Sequence, residues 1–236
     1  MGVIALLICC GNASGGEHSV SVSHLTSLPN GITLPVVLEK TLDRKHIHPG
    51  EGIVAKFIQR VPIEGGYYLP EKTELLGSVA GYDGGSLTIS FTQIRLRHET
   101  QSVHVRLLAA AHWNDVWHTR LPVGGTDRGT SSPANWTTMQ IGRDQIYRGG
   151  GYGRVYNQYS EPVGEADPYG VYASPHSPGG LRLAMGPFST TATGLYGLPE
   201  LKIASSGGAT KPIVFQIESP DWQLHVADAL LLEVVG

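Results

Sequence analysis

Histidines and tyrosines are the side chains of this 236-residue sequence whose types and spacing best suit chemistry; there are ten of each. His112 and His118 flank Trp113 and Trp117, with Asp115 between them. Two imidazoles and a carboxylate can coordinate a metal or share a proton. No H-E-x-x-H spacing accompanies them, so a polar, amphipathic cap is the competing reading. His46-Ile47-His48 would put two imidazoles on one side of an extended chain. Its neighbours Arg44, Lys45 and Pro49-Gly50 read instead as an exposed loop. Tyr147, Tyr152, Tyr156, Tyr159, Tyr169 and Tyr172 crowd a glycine-rich stretch. A tyrosine ring offers apolar area with a polar tip, which suits a contact surface for an envelope protein or a glycan. The same rings could instead pack a loop-heavy β layer. Asp144, Glu161, Glu165 and Asp167 lie nearby and could serve glycoside hydrolysis, although carboxylate separation is not legible in a sequence.

Other chemistries are excluded or unsupported. There is no G-x-S-x-G, hence no nucleophile elbow. Gly149-Gly150-Gly151-Tyr152-Gly153 lacks the Lys-Ser/Thr of a phosphate loop and reads as a turn. Arg148 and Arg154 sit among these glycines, but a net charge of −3 gives no basic field for nucleic acid. Both cysteines, Cys9 and Cys10, lie in the apolar block Val3 to Cys10, which is followed by small and polar residues to Gly16. Residues 1–16 thus read as a signal peptide with a cleavage point near Ala13, directing the protein to the periplasm or the exterior. No Lys or Arg precedes the block, so it reads either as a leader whose start lies upstream or as a first buried strand. A chain cut there has no thiol, hence no disulfide and no cysteine-ligated zinc. No cofactor is expected. No apolar run approaches the roughly 20 residues of a membrane-spanning helix.

The elements that must position these residues read as strands. Charged residues are only 16% of the chain, and 31 glycines punctuate short apolar runs. Ile32 to Leu38 alternates with period two, and Pro35, which has no amide hydrogen, places that strand at an edge or at an irregular start. Ile53 to Ile58 and Thr73 to Tyr82 follow, the latter ended by the hairpin signal Asp83-Gly84-Gly85. Leu87, Ile89 and Phe91 hold one phase and Ile94 and Leu96 the other, which predicts a β-bulge near Thr92-Gln93. Val103 to Leu107 completes a β domain over residues 28–111. Residues 112–134 read as a linker or cap, with the tryptophans on a short helix or a loop. Residues 135–236 form a second β domain, with strands at Leu181 to Met185, Leu201 to Ile203, Ile213 to Ile217 and Trp222 to Val226, and a buried last strand through Leu230, Leu232 and Val234. The expected class is all-β: two small barrel- or sandwich-like domains with little helix.

Ile32 to Leu42, Pro49-Gly50-Glu51 and Leu69 to Val79 together resemble the β domain of TrbI-like subunits of type IV secretion and conjugation channels. The chain is also similar to secreted acidobacterial proteins that pair this domain with a second one. The second-domain likeness rests on Gln140-Ile141-Gly142-Arg143-Asp144-Gln145-Ile146-Tyr147-Arg148-Gly149-Gly150-Gly151 and on Tyr196 to Ala204 with Gly207. Those segments are turns and strand cores, so the resemblance implies fold rather than activity. The expectation is an exported, envelope-associated, non-enzymatic binding or structural module. Its rivals are a channel component that self-assembles through sheet edges and a carbohydrate-active or metal-assisted hydrolase.

Overall fold

The computed structural model describes residues 28–121, 123, 137–149, 151–174 and 180–236. The proposed leader, both cysteines and most of the glycine- and serine-rich linker lie outside them. The class is all-β, 52% strand against 5% helix. In chain order the strands begin with β1 (Thr33–Leu38), β2 (Leu42–Asp43), β3 (Gly52–Phe57), β4 (Val61–Pro62) and β5 (Tyr68–Leu69). Next come β6 (Glu74–Tyr82), β7 (Ser86–Leu96), β8 (Glu99–Ser102) and β9 (Val105–Ala111), then the helix α1 (Trp113–His118). A meander follows: β10 (Thr137–Met139), β11 (Gln145–Gly149), β12 (Tyr152–Tyr156), β13 (Pro162–Asp167), β14 (Gly170–Ala173) and β15 (Leu183–Ala184). The chain ends with β16 (Gly194–Tyr196), β17 (Leu201–Ser206), β18 (Ile213–Ile217), β19 (Gln223–Leu224) and β20 (Ala229–Val234).

These strands form two main sheets whose membership does not follow chain order. The larger runs β16-β9-β20-β1-β3-β6-β7-β18-β17, with β8 also on β7. All its neighbours are antiparallel except β16 and β9. An isolated antiparallel bridge between Arg106 and Gly207 brings the end of β17 back to β9. The six-stranded sheet is the simple meander β10 to β15. Thus β17, β18 and β20, late in the chain, pair with strands from its first half.

Period-two burial explains the large sheet. Leu34, Val36 and Leu38 on β1, Ile53, Ala55 and Phe57 on β3, and Leu87, Ile89 and Phe91 on β7 all enter one core. The phase change on β7 is a bulge: Leu76 pairs with Gln93 and Gly77 with Phe91, leaving Thr92 unopposed. Only a glycine fits at position 77, because a Cβ there would lie 2.2 Å from the Ser90 carbonyl oxygen. At Asp83-Gly84-Gly85 the carboxylate accepts the amides of Gly85 and Ser86, and Gly84 takes φ +85°.

The edge position expected for β1 is corrected. It lies between β20 and β3. The β3 ladder begins only at Val36, and the Pro35 carbonyl accepts the Ile58 amide as β3 departs. A strand residue points its amide and carbonyl to the same side, so the donor that Pro35 lacks falls just beyond the ladder and no pairing is lost.

Two alanine-rich strands join the sheets. Ala109, Ala111 and Ala229 on β9 and β20 present a low surface, and Met185, Phe188 and Ile141 from the second sheet and its loops pack onto it. Gln59, 4% exposed, sits between β3 and β4. Its Nε2 donates to the Val171 carbonyl, and its Oε1 accepts the amides of Val171 and Gly186.

Candidate functional site

The hairpin β11–β12 sorts its side chains by alternation. Ile146 and Val155 are buried beneath the six-stranded sheet at 3% and 1% exposure. Gln145, Tyr147, Arg154 and Tyr156 therefore stand on its opposite face. Register puts Tyr147 across from Arg154 and Gln145 across from Tyr156. The two tyrosines are thus diagonal neighbours, and their rings meet edge to face at 5.5 Å and 85°. The Tyr147 hydroxyl donates to Gln145 Oε1 at 2.7 Å. Tyr147 is nonetheless 50% exposed, and Tyr152, further along the same face, 63%.

The turn after β12 is braced by one side chain. Asn157 Oδ1 accepts the amides of Tyr159 and Glu161, and its Nδ2 donates to Glu161 Oε2. At the same end Tyr156 pairs with Pro162 and Val155 with Gly164, so Val163 is bulged on β13. The bulge and turn raise a rim beside the tyrosines. The result is an open concavity of about 520 Å³ lined by Gln145, Tyr147, Arg154, Tyr156, Asn157 and Ser160. Arg154 faces Glu165 across the strands, but Glu165 ion-pairs with Arg182 at 2.5 Å. Among the described residues, no carboxylate lies within ion-pair distance of Arg154.

The six tyrosines do not form one cluster. Tyr147, Tyr152 and Tyr156 share the outer face, and Tyr159 projects from the turn at 74% exposure. Tyr169 sits in the β13–β14 turn, its ring centroid 3.3 Å from the Arg60 guanidinium, which also lies 4.4 Å from that of Tyr68. Tyr172 is a correction: it is 2% exposed and packs in the main core beneath the Arg182 guanidinium. Its place on β14 puts it on the same side as Glu165, but that side is covered here, because β15 packs on β4.

His112, Asp115 and His118 are not gathered into a metal site; among the described residues no group of three or more His, Cys, Asp or Glu could hold one. The helix explains why. His112 is its N-cap, with Nδ1 accepting the Asn114 amide and its ring edge-on to His225 at 5.1 Å. Asp115 lies in the first turn beside Gly197, and His118 in the last turn. Trp113 and Trp117, at 45% and 53%, are exposed rather than covering a core. His46 Nδ1 donates to the Asp43 carboxylate at 2.9 Å, and this contact is the largest influence holding the Asp43 carboxyl below its ordinary value. Of the four carboxylates near the tyrosines, Asp144 is 2% exposed and accepts the Thr190 amide and hydroxyl. Glu161, Glu165 and Asp167 engage Asn157, Arg182 and the Tyr169 amide.

Comparison with known protein families, curated proteins and solved structures finds no match to this chain. Sequence reasoning missed Gln145, Arg154, Asn157 and Ser160 as lining residues. The signal was present: the glycine run 149–151 reads as a turn, and counting outward from it sets Tyr147 against Arg154, as the register does.

Proposed function

We propose that this is an exported, non-enzymatic, envelope-associated module that binds glycan on the outer face of its six-stranded sheet. Export rests on the apolar block Val3 to Cys10 and the small residues after it. The glycan reading rests on one observation: the edge-to-face pair of the exposed Tyr147 and the half-buried Tyr156, bordered by Gln145, Arg154 and Asn157.

A sugar ring has a C–H face with little polarity and an edge crowded with hydroxyls. A tyrosine ring matches the face, and planar amides and a guanidinium match the edge. Apart from its tyrosines, the lining of this concavity is polar. A protein-binding patch would be expected to carry an apolar centre. A shallow, open floor of neighbouring strands also suits an extended chain better than a compact ligand.

The test is isothermal titration with cello-, xylo- and chito-oligosaccharides and with soluble peptidoglycan fragments. At least one series is expected to bind. Tyr147→Ala or Tyr156→Ala should then weaken it roughly 5- to 150-fold, by analogy with aromatic stacking worth about 1–3 kcal/mol per ring. Circular dichroism of both variants should match the parent, because the rings lie outside the buried clusters. Failure of every series to bind the parent protein, or undiminished binding by both variants, would overturn the reading.

A further inference from the structure

Beneath the same sheet, on the side of Ile146, a second concavity of about 500 Å³ lies between that sheet and the connecting segments at Ile58-Gln59, Glu71 and Thr119-Arg120. Its walls combine Ile58, Ile146 and Val171 with Thr119, Thr138 and Tyr169, and two guanidiniums, Arg148 and Arg120, border it. Arg148 is unusual. It stands two residues after the buried Ile146 on β11, so its side chain leaves the strand on the inner side of the sheet. Among the described residues no carboxylate or carbonyl lies within hydrogen-bond or ion-pair distance of its guanidinium.

Two carboxylates also line the cavity, Asp167 and Glu71. Asp167 is already engaged, accepting the Tyr169 amide at 2.8 Å and lying 3.9 Å from Arg182. It attracts Arg148 only at longer range, and burial is the larger influence, pushing the guanidinium below its ordinary pKa. A half-buried cation that no described carboxylate or carbonyl contacts directly is a standing cost to the folded protein. Arginine presents a planar fork of donors that fits a carboxylate two bonds at a time. Among otherwise polar walls, Ile146, Val171 and Tyr169 offer apolar and aromatic area that a fully hydrated inorganic anion would not use.

We infer that this cavity is a second ligand site, in which Arg148 receives the carboxylate of a small organic acid whose apolar body lies against Ile146, Val171 and Tyr169. The site is independent of the outer tyrosine face and faces the opposite side of the sheet.

Benzoate is the probe, titrated into the full chain by calorimetry and by thermal denaturation, with phosphate as the control. Benzoate should bind and raise Tm with concentration, as any ligand selective for the folded state must, and phosphate should not. Arg148→Met should leave the unliganded Tm unchanged or raised, because it removes the cost of half-burying a charge, and should abolish the benzoate response. Arg148→Lys keeps the charge but not the fork, and should weaken benzoate about tenfold or more. The site is refuted if benzoate does not bind, if phosphate stabilises and benzoate does not, or if either variant binds benzoate as the parent does. A loss of unliganded stability in Arg148→Met equal to that of a core truncation would also refute it, by making Arg148 a structural residue. Tyr147→Ala leaves the benzoate response intact, which separates failure here from failure of the glycan reading.

Discussion

Asp228 is wholly buried, yet both of its oxygens are used. Oδ1 accepts the Trp113 amide at 2.8 Å and Oδ2 the His225 amide at 2.7 Å. One carboxylate thereby ties the first turn of α1 to the turn that precedes β20. Burial raises its pKa above the ordinary carboxylate value, against the opposing pull of the two amides and of His112 and His225. A carboxyl raised by folding holds its proton more tightly in the native state. Its stabilising contribution is therefore present at low pH and is lost as the pH climbs from the unfolded value, about 4, through the folded one. Asp43, Glu51 and Asp83 have the opposite sign: their pKa values are lowered by contacts with His46, Lys40 and the Gly85 amide, so what they contribute is lost on acidification. Asp228→Asn isolates the first effect. It costs a constant amount for one unpaired amide, about 1–3 kcal/mol. On top of that, the parent's advantage over the variant should shrink as the pH rises from about 4, the ordinary carboxylate value, through the raised folded one. Denaturant melts at several pH values test this, and a difference independent of pH would refute it.

At the scale of elements, Gln59 does the work of a strand. Its amide supplies both a donor and an acceptor to Val171 and a second acceptance from Gly186, beside the Met185 amide that the Val171 carbonyl also accepts. Gln59→Ala leaves the Val171 and Gly186 amides unpaired, while the Val171 carbonyl keeps the Met185 amide, and should cost about 2 kcal/mol, read as a lower denaturant midpoint with an unchanged slope. Gly170 belongs to the same joint, since a Cβ there would come within 2.6 Å of the Gln59 side chain. Nothing local marks Gln59 out, because its partners are more than a hundred residues away. The hairpins are the contrary case. Asp83-Gly84-Gly85 and the phase change at Thr92 were legible because turn chemistry and side-chain alternation act over a few residues. Crowding in a glycine-rich stretch singles out Tyr147, Tyr152 and Tyr156 but not the face they share, which the β11–β12 register sets, and it singles out Tyr172 equally. Alternation gives its side of the strand, but only packing against β4 decides whether that side meets water.

At the scale of the molecule, β20 is the keystone of the large sheet. It pairs with β1 over Thr33–Val37 and with β9 over Val105–Ala111, and Ala229 to Leu232 are buried on both faces. Residues 28–111 alone would expose β1 and β9 along their lengths and would lose Phe215, Trp222, Leu230 and Leu232 from the core. Such a fragment should not fold by itself. A dispersed amide spectrum and a cooperative melt from it would show that the first half is autonomous. The sheet's two ends meet at Arg106 and Gly207, which leaves less open edge for the edge-to-edge assembly that a channel component would need.

The sequence by itself determined the all-β class, ten of the twenty strands among the described residues, the hairpin turn at Asp83-Gly84-Gly85 and which residues of those strands share a face; β10 to β14, which carry the candidate site, were not among them. These follow from alternation, glycine and proline, whose effects are confined to a few neighbouring residues. Tertiary structure alone decided which strands pair, and therefore which faces are covered. It brought β20 between β1 and β9, made Pro35 harmless inside a sheet by ending the β3 ladder at Val36, and buried Tyr172. It also set Arg148 over a cavity while leaving Tyr147 and Tyr156 to the solvent. Those outcomes depend on contacts between residues up to two hundred positions apart, where the burial of apolar surface outweighs any local preference.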